Sequence, residues 1–250
     1  MKKIFIWIVG LPLVAALGLE LYTRLPTRAE IPPLNLPADT QYAVLFLHGT
    51  NGKDEPLLIE AAETVKQQLG DQPGVAIRYI VWSPWSDNRL RAGINGRKIG
   101  KQLGQELADL PELKYLRLIV HSAGAYTLTP LCEAYRNNAA EPGHLEMTYL
   151  DGMGIRGGWD YFYGYRHYGE CADFSMAIIN TDETVPGTNA PLVQSYNIDV
   201  TAHPARQTIG SDLDGHHWPI RYFIAMLNSE AITPGQRSYE NYPRGTVSQQ

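Results

Sequence analysis

Cysteine is scarce in this chain, and basic residues are not in excess. Only Cys132 and Cys171 occur in 250 residues, too few for a cysteine-rich metal cluster. Asp and Glu (26) outnumber Lys and Arg (21), for a formal net charge of -5. This balance argues against a nucleic-acid binder, which needs basic residues to neutralise phosphates. The remaining composition, 44% hydrophobic and 19% charged, is that of one ordinary globular domain.

The N-terminus has the charge pattern of a targeting segment. Lys2 and Lys3 precede an uncharged apolar run from Ile4 to Leu19, and Glu20 ends the run. No Ala-x-Ala site is present, and no cysteine follows that could carry a lipid. We interpret residues 1–23 as an export signal, either cleaved or kept as a membrane anchor with its lysines inside. A buried core helix is the alternative. The expected location is therefore periplasmic, secreted or membrane-anchored.

Residues 24–40 contain four prolines and predict an extended linker, followed by a domain over residues 41–250. Strand and helix patterns alternate through that domain, which predicts an α/β protein with a mostly parallel sheet and helices on both faces. Strands are predicted at 42–47, 75–81, 115–120, 145–150, 175–180 and 193–200, and helices at 55–69, 90–110, from about 122, and 219–228. Outside the cytosol Cys132 and Cys171 could pair, but the sequence leaves open whether they do.

Ser122 is the candidate nucleophile. The segment Ile119-Val120-His121-Ser122-Ala123-Gly124-Ala125 joins a predicted strand to a predicted helix. A sharp turn there would lift the serine hydroxyl above the sheet edge, and small residues after the serine permit such a turn. The motif departs from Gly-x-Ser-x-Gly at Val120, which we expect to crowd the turn. The alternative is a serine that merely caps the helix.

The other candidates also follow predicted strands or precede the last helix. An oxyanion needs two donors, for which we predict the amides of Ala123 and Thr50; the latter follows His48-Gly49, with His48 shaping the loop. A general base is predicted at His216, with His217 in reserve. The base needs a carboxylate partner, which either Asp151 or Asp182 could supply, each at the end of a strand.

Several of these motifs resemble the α/β-hydrolase lipases and esterases, and in places the pancreatic-type lipase family. The resemblance is carried by His48-Gly49, by His121-Ser122-Ala123-Gly124-Ala125, by Leu150-Asp151 and by Ile178-Ile179-Asn180-Thr181-Asp182. It spans most of residues 41–228 as short, spaced motifs. It implies an α/β-hydrolase fold and favours Asp151 over Asp182 as the acid, although Leu-Asp-Gly stands here where the family has Leu-Asp-Pro.

The expectation is thus a serine hydrolase that cleaves carboxylic esters through an acyl-enzyme, with a small-molecule or lipid ester as substrate. This chemistry needs no metal and no organic cofactor. A thioesterase or amidase would use the same residues, and a catalytically silent scaffold of the cell envelope is the alternative from another class. The long aromatic loop after Asp151 predicts either a lid or a small aromatic core, and Trp82 and Trp85 are predicted to line the same cleft.

Overall fold

The protein is described by a computed structural model that covers residues 10–230 and 237–250. Its centre is a sheet of seven strands, all of which pair in parallel, in the order β2-β1-β3-β4-β5-β6-β7. The strands are β1 (Tyr42–Leu47), β2 (Val75–Ile80), β3 (Tyr115–His121), β4 (His144–Leu150), β5 (Phe174–Ile179), β6 (Tyr196–Asp199) and β7 (Val247–Gln249). The prediction of an α/β protein with a parallel sheet is confirmed.

Helices connect the strands and cover both faces of the sheet. They are α1 (Leu11–Arg24), α2 (Pro56–Leu69), α3 (Ala92–Ala108), α4 (Leu128–Asn138), α5 (Tyr163–His167) and α6 (Trp218–Ser229), with 3₁₀ segments at Ser122–Thr127 and Pro204–Gln207. Alternate residues of β1 point to opposite faces, as the two-residue period of a strand requires. Leu45 packs with the core of α3 and α4, whereas Phe46 packs with the core of α2 and α6.

The segment predicted as a linker lies along α3. Gln102 on that helix bonds both the amide and the carbonyl of Ile31, at 3.1 and 2.8 Å, and Glu106 accepts the amide of Leu34 at 2.7 Å. Ala29 and Ile31 are buried. Since α3 satisfies these three backbone groups, the segment around Ile31 and Leu34 is part of the folded structure.

The predicted export segment falls partly outside the described residues, because Met1–Val9 are not among them. Its later part forms α1, whose apolar side chains include Leu13, Val14 and Leu17, each more than half exposed. Across residues 10–230 and 237–250, no helix combines the length and hydrophobicity needed to span a bilayer. The C-terminal end of α1 contacts the domain, since Glu20 accepts a hydrogen bond from the amide of Gly158 at 2.7 Å.

Helix α3 packs very closely on the segment that follows β3, at a row of glycines. A Cβ added to Gly100 would lie 2.1 Å from the carbonyl oxygen of Thr127, and one added to Gly104 would lie 2.2 Å from that of Leu131. The space at Gly93 is ordinary, since its nearest neighbour would be the Tyr126 ring at 3.8 Å. Close approach therefore explains Gly100 and Gly104 but not Gly93.

This difference gives a stability prediction. Gly100→Ala is expected to lower the free energy of unfolding by roughly 1–3 kcal/mol, because backbone must move to accept the methyl group. Gly93→Ala is the matched control; it should be neutral or stabilise by up to about 1 kcal/mol, since alanine favours helix. Chemical denaturation of both variants measures the effect. Equal stability of the two would contradict the close packing described here.

The two cysteines pair. Cys132 on α4 and Cys171 before β5 form a disulfide across 39 residues of sequence. The bond ties the helix after the Ser122 turn to the end of the aromatic loop.

Candidate active site

Ser122 lies in a strained turn immediately after β3. Its φ is 50°, a left-handed conformation that non-glycine residues adopt at an energetic cost and that occurs most often at functional sites. Neighbouring chain lies very close: a Cβ on Gly49 would come within 2.8 Å of the Ser122 Cβ, and one on Gly124 within 2.6 Å of the Leu47 carbonyl oxygen. The small residues therefore allow the strand-to-helix turn that the sequence predicts.

Val120 does not crowd this turn as expected. Its side chain is fully buried in the core beneath α3 and α4, so the core accommodates it. The departure from glycine at this position is compatible with the turn because a strand residue two positions before Ser122 can place its side chain in the core. The expectation that Val120 crowds the turn is therefore wrong.

His216 and Asp151 form a close pair. The Nδ1 of His216 lies 2.7 Å from Oδ2 of Asp151, which is fully buried. The other carboxylate oxygen accepts the amide of Asn180 at 3.2 Å. Burial raises the pKa of Asp151, and the contact with His216 opposes that shift. The arrangement fixes the histidine ring and leaves its Nε2 available for proton transfer.

Asp182, the rival acid, lies elsewhere. Its side chain is 55% exposed and pairs with Arg206 at 2.9 Å. Hydrogen bonding to Arg206 lowers the pKa of Asp182. The reason is the route of the chain after each strand: Asp151 turns inward immediately after β4, at φ 48°, whereas Asp182 stands three residues past the end of β5, at the surface.

His217, the reserve base, is held by two carboxylates. Its Nε2 lies 3.1 Å from Glu55 and its Nδ1 2.7 Å from Asp214. These contacts, led by the one to Glu55, raise the pKa of His217 to about 9. A histidine in this setting is protonated at neutral pH and cannot accept a proton. His217 therefore supplies positive charge beside the site, and His216 is the better candidate base.

Two residues that sequence reasoning did not select hold the His216 loop in place. The buried His121 ring bonds the His216 carbonyl oxygen through Nε2 at 3.1 Å, and burial lowers the pKa of His121 well below its usual value. A neutral His121 therefore donates this bond. The Asn180 side chain donates to the carbonyl of Gly215 at 3.0 Å. The only sequence signal for either is its position at a strand end.

The predicted oxyanion donors face the same cavity as Ser122. Thr50 and Ala123 both line it, and within the described chain the Thr50 amide has no hydrogen-bond partner. His48 shapes the intervening loop as expected. Its Nε2 accepts the Trp82 amide at 3.1 Å, so its Nδ1 carries the proton and donates to the Gly49 carbonyl at 2.7 Å.

The cavity has a volume of about 800 Å³ and lies beyond the carboxyl ends of β1, β3 and β4. Ligands of parallel sheets bind at this edge. Ser122, His216, His217, Thr50 and Ala123 all line it. In the described part of the chain the Ser122 hydroxyl has no hydrogen-bond partner within 3.5 Å. The Ser122 hydroxyl and His216 Nε2 therefore do not form a hydrogen bond here, although both residues line the cavity.

The aromatic loop divides into two parts. Tyr168 is buried and stacks on Tyr149 with ring centroids 5.1 Å apart, whereas Trp159 and Phe162 are each 62% exposed. Tyr161, Tyr163 and Tyr168 contribute to the cavity wall. The loop thus combines a small aromatic core with an exposed aromatic surface. The prediction that Trp82 and Trp85 line the same cavity is wrong, since neither is among its lining residues.

One group of side chains has metal-ligand chemistry. Potential ligand atoms of Asp151, Glu183 and His216 lie within 4.8 Å of one another. Glu183 already accepts the amides of Thr184 and Val185 through one oxygen, at 2.6 and 2.9 Å. The close contact between His216 Nδ1 and Asp151 requires a proton between them, and a metal at that nitrogen would have to displace it.

No known protein-family model matches this sequence, and no curated protein matches it either. Function is therefore inferred from the residues at the cavity and their geometry.

Proposed function

We propose that the protein is a serine hydrolase of the α/β-hydrolase fold that cleaves carboxylic esters. The observation that carries this proposal is that His216, joined at 2.7 Å to the buried Asp151, lines the same cavity as Ser122, a serine with φ 50° on a strand-to-helix turn. A serine hydroxyl is a weak nucleophile without a base, and a histidine base needs a partner to fix its tautomer. The chain places all three residues at one edge of the sheet.

In this mechanism the Ser122 oxygen attacks the ester carbonyl carbon while its proton passes to His216 Nε2. The carbonyl oxygen becomes an oxyanion, which accepts hydrogen bonds from the amides of Thr50 and Ala123. His216 then gives the proton to the alcohol oxygen as the carbon–oxygen bond breaks, which leaves an acyl-enzyme. The acyl-enzyme is hydrolysed by the same steps with water as the nucleophile. His216 takes a proton from the water as its oxygen adds to the acyl carbon, and then gives that proton to the Ser122 oxygen as the bond to the acyl carbon breaks.

Thioester and amide substrates share this sequence of steps, and no observation favours either over an ester. Crowding of the turn by Val120 would favour the catalytically silent scaffold, but Val120 packs in the core beneath α3 and α4. The backbone strain at Ser122 supports an enzyme. Such strain costs stability and is found mainly at functional sites.

Turnover of p-nitrophenyl esters of graded acyl length tests the proposal. Wild type should release p-nitrophenol well above background, and Ser122→Ala should reduce the rate to background. Ser211→Ala is the matched control, because Ser211 is an exposed serine in the loop before α6 and its loss should not change the rate. Parallel thioester and anilide series identify the preferred leaving group. Equal rates for wild type and Ser122→Ala would remove the proposed mechanism.

We further propose that the protein is exported and can associate with a membrane through its N-terminus. The disulfide supports export, because such bonds persist outside the reducing cytosol. The exposed apolar side chains of α1 support contact with lipid. Arg91 donates to the Tyr22 carbonyl at 2.6 Å, so the end of α1 is held by the domain. Cell fractionation with intact-mass measurement distinguishes a retained anchor from a cleaved signal; a full-length protein in the cytosol would contradict export.

A further inference from the structure

The cavity concentrates positive charge in an acidic protein. Five of its lining side chains are cations at neutral pH: Arg24, Arg89, Arg97, Arg156 and His217. Its lining carboxylate is Glu55, which already pairs with His217. The whole chain carries a formal charge of -5. Excess positive charge at the mouth of a concave site raises the local concentration of anions.

Three of these cations have partners within the protein. Arg24 pairs with Glu20, and Arg156 lies over the Tyr163 ring with its guanidinium carbon 4.8 Å from the ring centroid. His217 is held by Glu55 and Asp214. These contacts hold the three side chains in place at the cavity.

Arg89 and Arg97 have no such partner. Within residues 10–230 and 237–250, neither side chain makes a hydrogen bond or an ion pair. Arg97 is only partly exposed, on the face of α3 that lines the cavity. A partly buried guanidinium has five donors to satisfy, and its fork matches a carboxylate or phosphate. An arginine that is unpaired and faces the cavity is therefore available to an anionic group of a ligand.

We infer that the substrate is an ester that carries a second, anionic group, which Arg97 and Arg89 bind while Ser122 attacks the ester carbonyl. The inference depends on the proposed hydrolase function and names its substrate class. The anion is a carboxylate or a phosphate, and it can belong either to the acyl part or to the alcohol part of the ester. His217 adds positive charge from the loop before α6, which also lines the cavity.

Two matched pairs of esters distinguish these sources. For the acyl part, the p-nitrophenyl half-ester of adipic acid is compared with p-nitrophenyl hexanoate. For the alcohol part, the butyrate ester of 4-hydroxybenzoic acid is compared with that of its methyl ester. At least one anionic probe should exceed its neutral partner in kcat/KM by tenfold or more, and added salt should reduce the ratio. Ratios near one in both pairs would overturn the inference while leaving ester hydrolysis standing.

Arg97→Gln tests the residue itself. A hydrogen-bonded charge pair stabilises the bound anionic ester. Its loss should reduce the anionic-to-neutral ratio of kcat/KM by about 10- to 100-fold, mainly through a higher KM for the anionic ester. Lys98→Gln is the matched control: it removes the same charge from the next position of α3, where the side chain is exposed and does not line the cavity. Its ratio should stay at the wild-type value. An equal fall in both variants would show a general charge effect and contradict a binding role for Arg97.

Binding to Ser122→Ala separates the two proposals. Titration calorimetry with the adipate half-ester and the 4-hydroxybenzoate ester should detect binding that Arg97→Gln weakens, even if no ester is turned over. Binding without turnover by wild type would support the anion site and contradict the hydrolase. Turnover of neutral esters without a charge preference would support the hydrolase and contradict the anion site.

Discussion

Replacing Asp151 with asparagine is expected to lower kcat by roughly 10⁴-fold. Asparagine has nearly the same shape, so the His216 loop should stay in place, but its amide can donate to Nδ1 and would stabilise the wrong histidine tautomer. It also removes the charge that stabilises the protonated ring after Ser122 attacks. Steady-state kinetics on a p-nitrophenyl ester measure the loss, and near-ultraviolet circular dichroism verifies that the variant is folded.

Asp182→Asn is the matched control for this prediction. Its carboxylate is exposed and pairs with Arg206, and an exposed ion pair contributes at most about 1 kcal/mol. Arg206 also keeps its bonds to Asn180 and to the Thr201 carbonyl. We expect kcat close to wild type. A large loss in Asp182→Asn together with normal activity in Asp151→Asn would reverse the assignment of the acid.

Removing the disulfide is expected to lower the free energy of unfolding by about 4 kcal/mol. The bond closes a loop of 39 residues, and the loop-closure entropy for that length has this magnitude. Denaturant unfolding of Cys132→Ala/Cys171→Ala, compared with wild type in oxidising buffer, measures the loss. Because the bond ties α4 to the aromatic loop, the variant should also lose activity at a lower temperature than wild type.

A reductant provides the control for this prediction. Wild type should lose a similar amount of stability when the disulfide is reduced, whereas the double variant should not respond. A thiol titration of the folded wild type should find no free cysteine. Wild type and double variant of equal stability in oxidising buffer would show that the bond does not contribute as described.

The sheet could be predicted from the sequence because its strands are buried on both faces. Runs such as Tyr42–Leu47 are apolar throughout, which is typical of central parallel strands, and their alternation with helices predicts the parallel order. The missed elements lack that signal. The edge strand β7 is three residues long and largely exposed, and α5 has five residues among glycines and tyrosines.

The site could be predicted in its types of residue but not in its pairings. Both Asp151 and Asp182 follow a strand, and only the path of the chain after β4 and β5 places one beneath His216 and the other at Arg206. The same holds for His216 and His217, which are adjacent in sequence. One meets Asp151 and the other meets Glu55, a partner 162 residues away. Such contacts depend on tertiary geometry and leave no local pattern.

The central claim is that Ser122 is a nucleophile activated by His216 and Asp151. Labelling with a fluorophosphonate tests it most directly, because an activated serine oxygen displaces fluoride from phosphorus and retains the phosphonyl group. Wild type should gain one adduct by intact mass, mapped by peptide sequencing to Ser122, and Ser122→Ala should gain none. An adduct at another residue, or equal labelling of the two proteins, would contradict the account.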